Sequence, residues 1–302
     1  GRVLELLMRF QSIGFMLSMS IGAAVYDPGL MTAICQKLGL TLSLSQETTM
    51  RFPLYLTLIL SLGALTATLR MTDTMAPSGS STPGQIRQAV ALTLKAGLWI
   101  MKTPFALCVI LFGMVFDGII RMVITLSSQY YRIIELPESI FGLIGSLVAT
   151  LGIIVPKAAR KLAEHAPLTA PLWITAALTL TGLSTMNRFW PYAGMIPALI
   201  TFSAMYFNGF FVSYHLNRTA SSEQRATVLS FKGLTYNISY GVLGTFYALI
   251  LKTGKQGLEM TGNLEDLVFT RTFFWFPLSF VVLFFLVLIA ARLFFKPSLP
   301  KP

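Results

Sequence analysis

The stretch Phe105–Ser127 reads FALCVILFGMVFDGIIRMVITLS, and it decides the fold class of this chain. One acidic and one basic side chain stand in a run that is otherwise mostly apolar. The run is long enough to cross a bilayer, which takes about 20 residues of helix. Because lipid offers backbone groups no hydrogen-bond partners, such a run must close its own bonds as a helix. It also lacks the strict alternation of a transmembrane strand.

Seven further apolar runs of similar length flank this one. They are Leu4–Tyr26, Phe52–Leu69, Ile140–Val155, Leu168–Met186, Trp190–Phe211, Ala226–Leu251 and Phe273–Leu293. The composition agrees with a membrane protein, since 54% of the 302 residues are hydrophobic and 12% are charged. A soluble domain carries about 25% charged residues. The sequence therefore predicts an all-α, polytopic membrane helix bundle with about eight transmembrane helices.

The net charge of +11 is spread over short clusters between the apolar runs. Such clusters indicate contact with the headgroups of the lipid bilayer, and they argue against nucleic acid as a partner. Lys and Arg are more numerous in the loops that are cytoplasmic if both termini are cytoplasmic. The positive-inside rule therefore predicts an integral, multi-pass protein with both ends of the chain in the cytoplasm.

The one long predicted cytoplasmic loop is Arg70–Thr103. It opens with the Pro-, Gly- and Ser-rich segment Met75–Gly84, whose composition is typical of a flexible linker. A stripe of apolar residues then recurs at helical spacing, namely Ile86, Val90, Leu94, Leu98 and Met101. The pattern predicts a basic amphipathic helix. Such a helix lies on the inner leaflet or packs against the base of the bundle.

Two of the helix entrances resemble each other. Arg2 and Arg9 in the first run match Arg225 and Lys232 in the seventh, with the same spacing of seven residues. If the runs that follow also correspond, the repeat is six helices long and the protein has twelve helices. Four helices would then precede Gly1, and the chain would be a fragment. The alternative is a chance likeness between Arg-flanked helices that are rich in small residues.

The stretches Gly1–Gly14 and Gln224–Leu234, the long central loop and the basic loop Pro156–Leu162 resemble a major facilitator superfamily transporter, helices five to twelve. The resemblance implies three parts: 1–70, the last two helices of the N-terminal bundle; 71–103, a cytoplasmic central loop with an amphipathic helix; and 104–302, the C-terminal six-helix bundle. It also implies secondary active transport of a small-molecule substrate (drug or metabolite) by alternating access, with protons as coupling ion, in a bacterial inner membrane. No cofactor is expected.

Asp117 and Arg121 are the charged residues inside the third run. They are four residues apart, which allows an ion pair on one helix face. Charges at membrane depth are costly and usually face a cavity or a partner. The functional interpretation is a cavity-lining pair that titrates or exchanges partners during transport, with Asp117 as the proton-coupling candidate. The structural interpretation is a pair that only neutralises itself inside a packed bundle.

The other pathway candidates are basic, amide and phenol side chains at membrane depth: Arg9, Lys232, Asn208, Tyr236, Asn237 and Tyr240. Arg9 and Lys232 lie about two turns inside the bilayer, where long basic side chains snorkel to the headgroups or contact an anion. The amides and phenols bond across helices or face water and ligand. The resemblance implies that the first and fifth helices of each half line the cavity. It therefore places Asp117, Arg121, Tyr236, Asn237 and Tyr240 near the pathway.

Enzymatic function is not expected. His165 and His215 are predicted to fall in cytoplasmic loops, and no nucleophile–base pattern, phosphate loop or metal-binding cluster stands out. The segment Ser18–Ala24 lacks the proline that antiporters of this superfamily usually carry at the end of helix five, which argues against antiport. The alternatives to a transporter are a receptor or scaffold that kept the fold without transport and, less favoured, a polytopic membrane enzyme.

Overall fold

The computed structural model describes residues 1–71, 83–167, 169–222, 224–255 and 264–294. Within those ranges every regular element is a helix. The elements are α1 (Arg2–Tyr26), α2 (Pro28–Lys37), α3 (Gln46–Thr49), α4 (Phe52–Leu69), α5 (Pro83–Lys102), α6 (Pro104–Thr125), α7 (Ser127–Ile133), a 3₁₀ turn (Glu138–Ile140), α8 (Phe141–His165), α9 (Thr169–Met186), α10 (Met195–Thr219), α11 (Arg225–Lys255), α12 (Leu264–Thr272) and α13 (Trp275–Phe294). Residues 75–82 of the predicted linker lie outside the described ranges.

Seven helical stretches in the described part of the chain are long and apolar enough to cross a bilayer. They are Arg2–Tyr26, Gln46–Leu69, Pro104–Thr125, Phe141–His165, Met195–Thr219, Arg225–Lys255 and Leu264–Leu293. The prediction of an all-α, multi-pass membrane protein is therefore confirmed. The fifth apolar run of the sequence does form a helix, α9, but that helix is not among the seven.

Threonine explains the marginal character of α9. Thr175 and Thr179 are buried, and each hydroxyl donates to the backbone carbonyl one turn earlier at 2.8 Å. A hydroxyl that bonds within its own helix needs no further partner, so it can be placed in an apolar bundle. The side chains lower the hydropathy of the segment without preventing it from packing between other helices.

Two helices end later than their apolar runs indicate. The fourth run ends at Val155, but α8 continues through Pro156 to His165, and α10 extends to Thr219. The expectation that His165 and His215 lie in loops is wrong, because both occupy the last turns of these helices. Membrane helices tolerate proline, and their backbone bonds must stay closed until the chain reaches the polar headgroup region.

Helix α6 lies at the centre of the bundle. Helices α10, α11 and α13 all pack against it, and most of its residues between Cys108 and Val123 are buried. Aromatic rings fill the contact with α13, where the Phe116 ring lies 5.3 Å from that of Phe280 and 6.0 Å from that of Phe284. Any side chain that α6 carries is therefore presented to one of several neighbouring helices.

The most extensive contact between two helices is that of α1 with α8. On α8, a methyl group at Gly142 would overlap Ala23 of α1, and one at Gly152 would overlap both Ser12 and Tyr206. The Ser146 hydroxyl lies 2.9 Å from that of Ser20. In lipid the hydrophobic effect does not drive helices together. Small residues let two backbones approach closely, and van der Waals packing between them then stabilises the contact.

Helix α4 packs chiefly on α1 and on the short α3, and none of its residues is buried. The first two long helices thus join the remainder mainly through the contact of α1 with α8. This arrangement is compatible with a boundary near residue 70. The division into parts of two bundles stays a prediction.

Helix α5 packs on α11 through Ala96, Gly97 and Ile100, which are buried. A side chain at Gly97 would overlap the ring of Phe231. The predicted apolar stripe is not the packed face, since Val90 is 53% exposed and Leu94 is 63% exposed. The helix therefore rests on the bundle by its small residues and leaves the longer apolar side chains free to contact the bilayer interface.

Candidate functional site

The candidate site is a polar cluster between α6 and α11, which we define as Asp117, Arg121, Thr125, Asn237 and Tyr240. Asp117 and Arg121 lie one turn apart on α6, and Asp117 Oδ2 is 2.5 Å from Arg121 Nη2. The Asp117 side chain is 7% exposed and that of Arg121 is 29% exposed. An ion pair of this kind offsets part of the cost of placing two charges at membrane depth.

Arg121 also ties α6 to α11. Its Nη1 donates to Asn237 Oδ1 at 2.8 Å, and its guanidinium carbon lies 5.7 Å from the ring centroid of Tyr240. The Tyr240 hydroxyl is in turn 3.0 Å from Thr125 Oγ1. One guanidinium therefore bridges a carboxylate, an amide and an aromatic face. A change in the charge of Asp117 would alter its hold on both helices.

Two glycines of α6 allow this approach. The missing side chain at Gly118 makes room for Ser239 and Leu243, and that at Gly113 makes room for the Tyr236 hydroxyl. Ser239 Oγ also donates to the backbone carbonyl of Met114 at 3.1 Å. The polar side chains of α11 thus lie directly on the backbone of α6.

A second group of candidates surrounds Gly113, one to two turns from the polar cluster. Lys232 Nζ donates to Ser213 Oγ of α10 at 3.1 Å and lies 5.4 Å from the Tyr236 ring centroid. Asn208 is buried and its Nδ2 donates to the Gly113 carbonyl at 3.3 Å. Lys232 therefore contacts a neighbouring helix.

Arg9 lies apart from these groups. Its Nη1 is 3.4 Å from Glu5 Oε1 on its own helix, and Glu5 Oε2 accepts from Arg160 Nε of α8 at 2.6 Å. Arg160 also pairs with Glu164 at 3.0 Å. The structure thus brings seven of the eight predicted site residues to the α6–α10–α11 contact, while Arg9 belongs to an ion network that joins α1 to α8.

The sequence analysis missed Glu5 and Arg160 as a pair. Glu5 precedes Arg9 by four residues, which is the same signal that singled out Asp117 and Arg121. The bond from Glu5 to Arg160 carries no such signal, because 155 residues separate the two. Only the packing of α1 on α8 brings them together.

We expect Glu5→Gln to lower the melting temperature of the purified protein by about 2–4 °C, because it removes the shared charge of a nearly buried carboxylate. Arg160→Gln should have a similar effect, and the double variant should lose less than the sum of the two. Glu265→Gln is the matched control, since Glu265 pairs with Lys255 at 3.2 Å on an exposed surface. Equal shifts for Glu5→Gln and Glu265→Gln would contradict the proposed coupling.

Within the described ranges, no group of three or more His, Cys, Asp or Glu side chains could hold a metal ion. No protein-family model, curated protein or solved structure matches the chain. The assignment of this protein to a class therefore rests on its fold and on the candidate site. The protein is a multi-pass helical membrane protein with a charged, hydrogen-bonded cluster inside its bundle.

Proposed function

We propose that this protein is a secondary active transporter of the major facilitator type, which moves a small solute by alternating access and couples the movement to protons. The observation that carries the proposal is the bridge from Asp117 through Arg121 to Asn237. It places an ionisable carboxylate at membrane depth and connects that carboxylate to a second helix. Intramembrane carboxylates with basic partners are typical of proton relays in transporters.

Partial exposure of the cluster favours a pathway over a purely structural pair. A pair that only neutralises itself would be best enclosed on all sides, because water weakens its attraction. Here Arg121 is 29% exposed, and the side chains of Asn237 and Tyr240 lie on the same side of the contact between α6 and α11. The cluster can therefore meet water or a solute on one side while its other side stays packed.

A simple mechanism follows from the bonds of Arg121. Protonation of Asp117 removes the negative charge that holds the guanidinium, so the guanidinium becomes free to bind an anionic group of the solute or a carboxylate on another helix. The bond to Asn237 then weakens or strengthens with the position of Arg121. A proton is thereby converted into a change in the contact between α6 and α11.

The contact of α1 with α8 is the proposed surface between two moving halves. The glycines of α8 allow sliding contact at the middle of the helices, and the Glu5–Arg160 bond closes the contact at one end. The boundary near residue 70, the cytoplasmic placement of both ends and the bacterial inner membrane are parts of the same proposal.

Currents on solid-supported membranes test the proposal. Proteoliposomes should give transient currents on addition of one class of solute from a panel of sugars, amino acids, dicarboxylates and aromatic cations, and an imposed pH gradient should change their size. Empty liposomes supply the control. A solute that binds but gives no flux under any gradient would identify a receptor or scaffold, and chemical conversion of a solute would identify an enzyme. No observation on this structure favours either alternative.

A further inference from the structure

A cavity of about 260 Å³ lies between α6, α9, α10 and α13, on the side of α6 away from the polar cluster. Its wall is mostly apolar and includes Phe105 and Phe112 of α6, Trp173 of α9, Phe211 of α10 and Leu288 of α13. A cavity of this volume and lining is close to the smaller ligand pockets of proteins, about 300 Å³.

Aromatic rings close the inner end of the cavity. The ring of Phe284 lies 5.4 Å from that of Phe112, 6.0 Å from that of Phe116 and 5.5 Å from that of Trp173. These four side chains separate the cavity from the core around Phe280. This end of the cavity is therefore packed with aromatic side chains.

The other end leads to the basic end of the bundle, which we define by Arg160, Arg218 and Arg292. A second cavity of about 390 Å³ shares Phe105, Pro171 and His215 with the first and is also lined by Glu164 and Arg218. Arg292 lines the first cavity and has no ion pair among the residues that the structure describes.

The mouth of the cavity is therefore positively charged. Glu164 is its one acidic side chain among the described lining residues, and Glu164 already pairs with Arg160 at 3.0 Å. Arg218 contacts Tyr214, and Arg292 pairs with no acidic side chain in the described part of the chain. Arg292 in the wall of the apolar cavity and Arg218 in the wall of the adjoining one match a phosphate group attached to a hydrocarbon chain.

We propose that this cavity binds one acyl chain of an acidic phospholipid, with the phosphate at the end of the cavity that carries Arg292 and adjoins Arg218. The helix ends at the mouth are where the headgroups of a bilayer lie, so a lipid reaches the cavity without leaving its leaflet. Leu286 and Ile289 of α13 are exposed beside it, which gives the chain an approach from the bilayer. The cavity is lined by none of the five residues of the polar cluster, although Gly113 and Asn208 of the neighbouring group do line it.

Quenching of Trp173 fluorescence by brominated lipid tests the site. The variant retains Trp173 and carries Phe at the other three tryptophan positions, Trp99, Trp190 and Trp275. It is reconstituted in phosphatidylcholine vesicles that contain increasing fractions of dibrominated phosphatidylglycerol or of dibrominated phosphatidylcholine. We expect saturable quenching by the glycerol lipid at a several-fold lower mole fraction than by the choline lipid.

Variants of the two arginines test the phosphate contact, and variants of α13 test the contact of the acyl chain with the cavity. Arg292→Gln and Arg218→Gln should each weaken the preference for phosphatidylglycerol about fivefold, the usual value of one basic residue at an anionic lipid surface. Arg87→Gln is the control, since Arg87 is exposed on α5 and does not line the cavity. Ala291→Phe should fill the cavity and remove the saturable component, whereas Ile289→Phe on the exposed face of α13 should not.

Two outcomes would overturn the proposal. Equal quenching by both brominated phospholipids, unchanged by Ala291→Phe, would show that only the surrounding lipid reaches Trp173. Saturable quenching by brominated stearic acid, without any by brominated phosphatidylglycerol, would assign the cavity to a free fatty acid. Neither outcome bears on solute transport, so the proposal can fail while the proposed function stands.

Discussion

Asp117→Asn is expected to lower the initial rate of pH-gradient-driven uptake in proteoliposomes at least about tenfold. Accumulation of the solute against its own gradient should be lost. The amide keeps the size of the carboxylate but cannot carry a negative charge. Arg121 then loses its ion pair with Asp117, and a tenfold loss in rate corresponds to about 1.4 kcal/mol of transition-state stabilisation. The measurement is uptake of whichever solute gives current, with and without an imposed pH gradient.

Exchange of labelled for unlabelled solute separates coupling from folding. A protein that has lost only its proton site should still exchange solute across the membrane at a rate similar to that of the unmodified chain. Asp266→Asn on α12 is the matched control, because Asp266 is exposed and accepts a long hydrogen bond of 3.5 Å from Gln129 Nε2. Gradient-driven uptake that survives Asp117→Asn would show that the coupling carboxylate is elsewhere.

Gly152→Ala should destabilise the protein strongly for so small a change, by about 1–3 kcal/mol, because overpacking forces side chains and backbones apart. The added methyl group would overlap Ser12 of α1 and Tyr206 of α10 at the place where three helices meet. Gly14→Ala is the control, since a methyl group there meets no described atom within 4 Å. In a helix interior that change should be neutral or stabilising, by about 0.5–1 kcal/mol.

Thermal unfolding of the two glycine variants in the same detergent provides the measurement. The prediction is the difference in sign between chemically identical substitutions, so a general effect of alanine on helix propensity cannot produce it. Two equal shifts would mean that the close contact of α1 with α8 does not contribute to stability. Crosslinking of cysteines placed at Ser20 and Ser146, whose hydroxyls are 2.9 Å apart, would then report whether the helices have separated.

Hydropathy was sufficient to locate the helices because it is a local property. A run such as Phe52–Leu69 has one stable conformation in lipid, and α4 has the same bounds. The helix ends were harder to predict. Polar residues such as His215 and Arg218 interrupt the apolar pattern near the headgroups, although the backbone continues to close its bonds through Thr219.

The polar cluster was partly predictable for the same reason. The spacing of Asp117 and Arg121 on one helix predicts their contact, and the structure has it. The partners from α11 could not be predicted in this way. Asn237 is 116 residues from Arg121, and only tertiary packing brings the two together. The sequence left open which surface covers the apolar stripe of α5, because the pattern identifies a stripe but not whether protein or lipid covers it.

Gly113 lies between the apolar cavity and the group of polar side chains that surrounds it on α10 and α11. Its carbonyl accepts from Asn208, its missing side chain makes room for Tyr236, and it lines the apolar cavity on the opposite side. In genetic terms, substitutions at Gly113 are expected to show epistasis with substitutions on either side of it. A substitution there would alter both sites at once, and its effect would depend on what had already been changed in either of them. Suppressors of defects in one site should therefore be sought on the far side of α6.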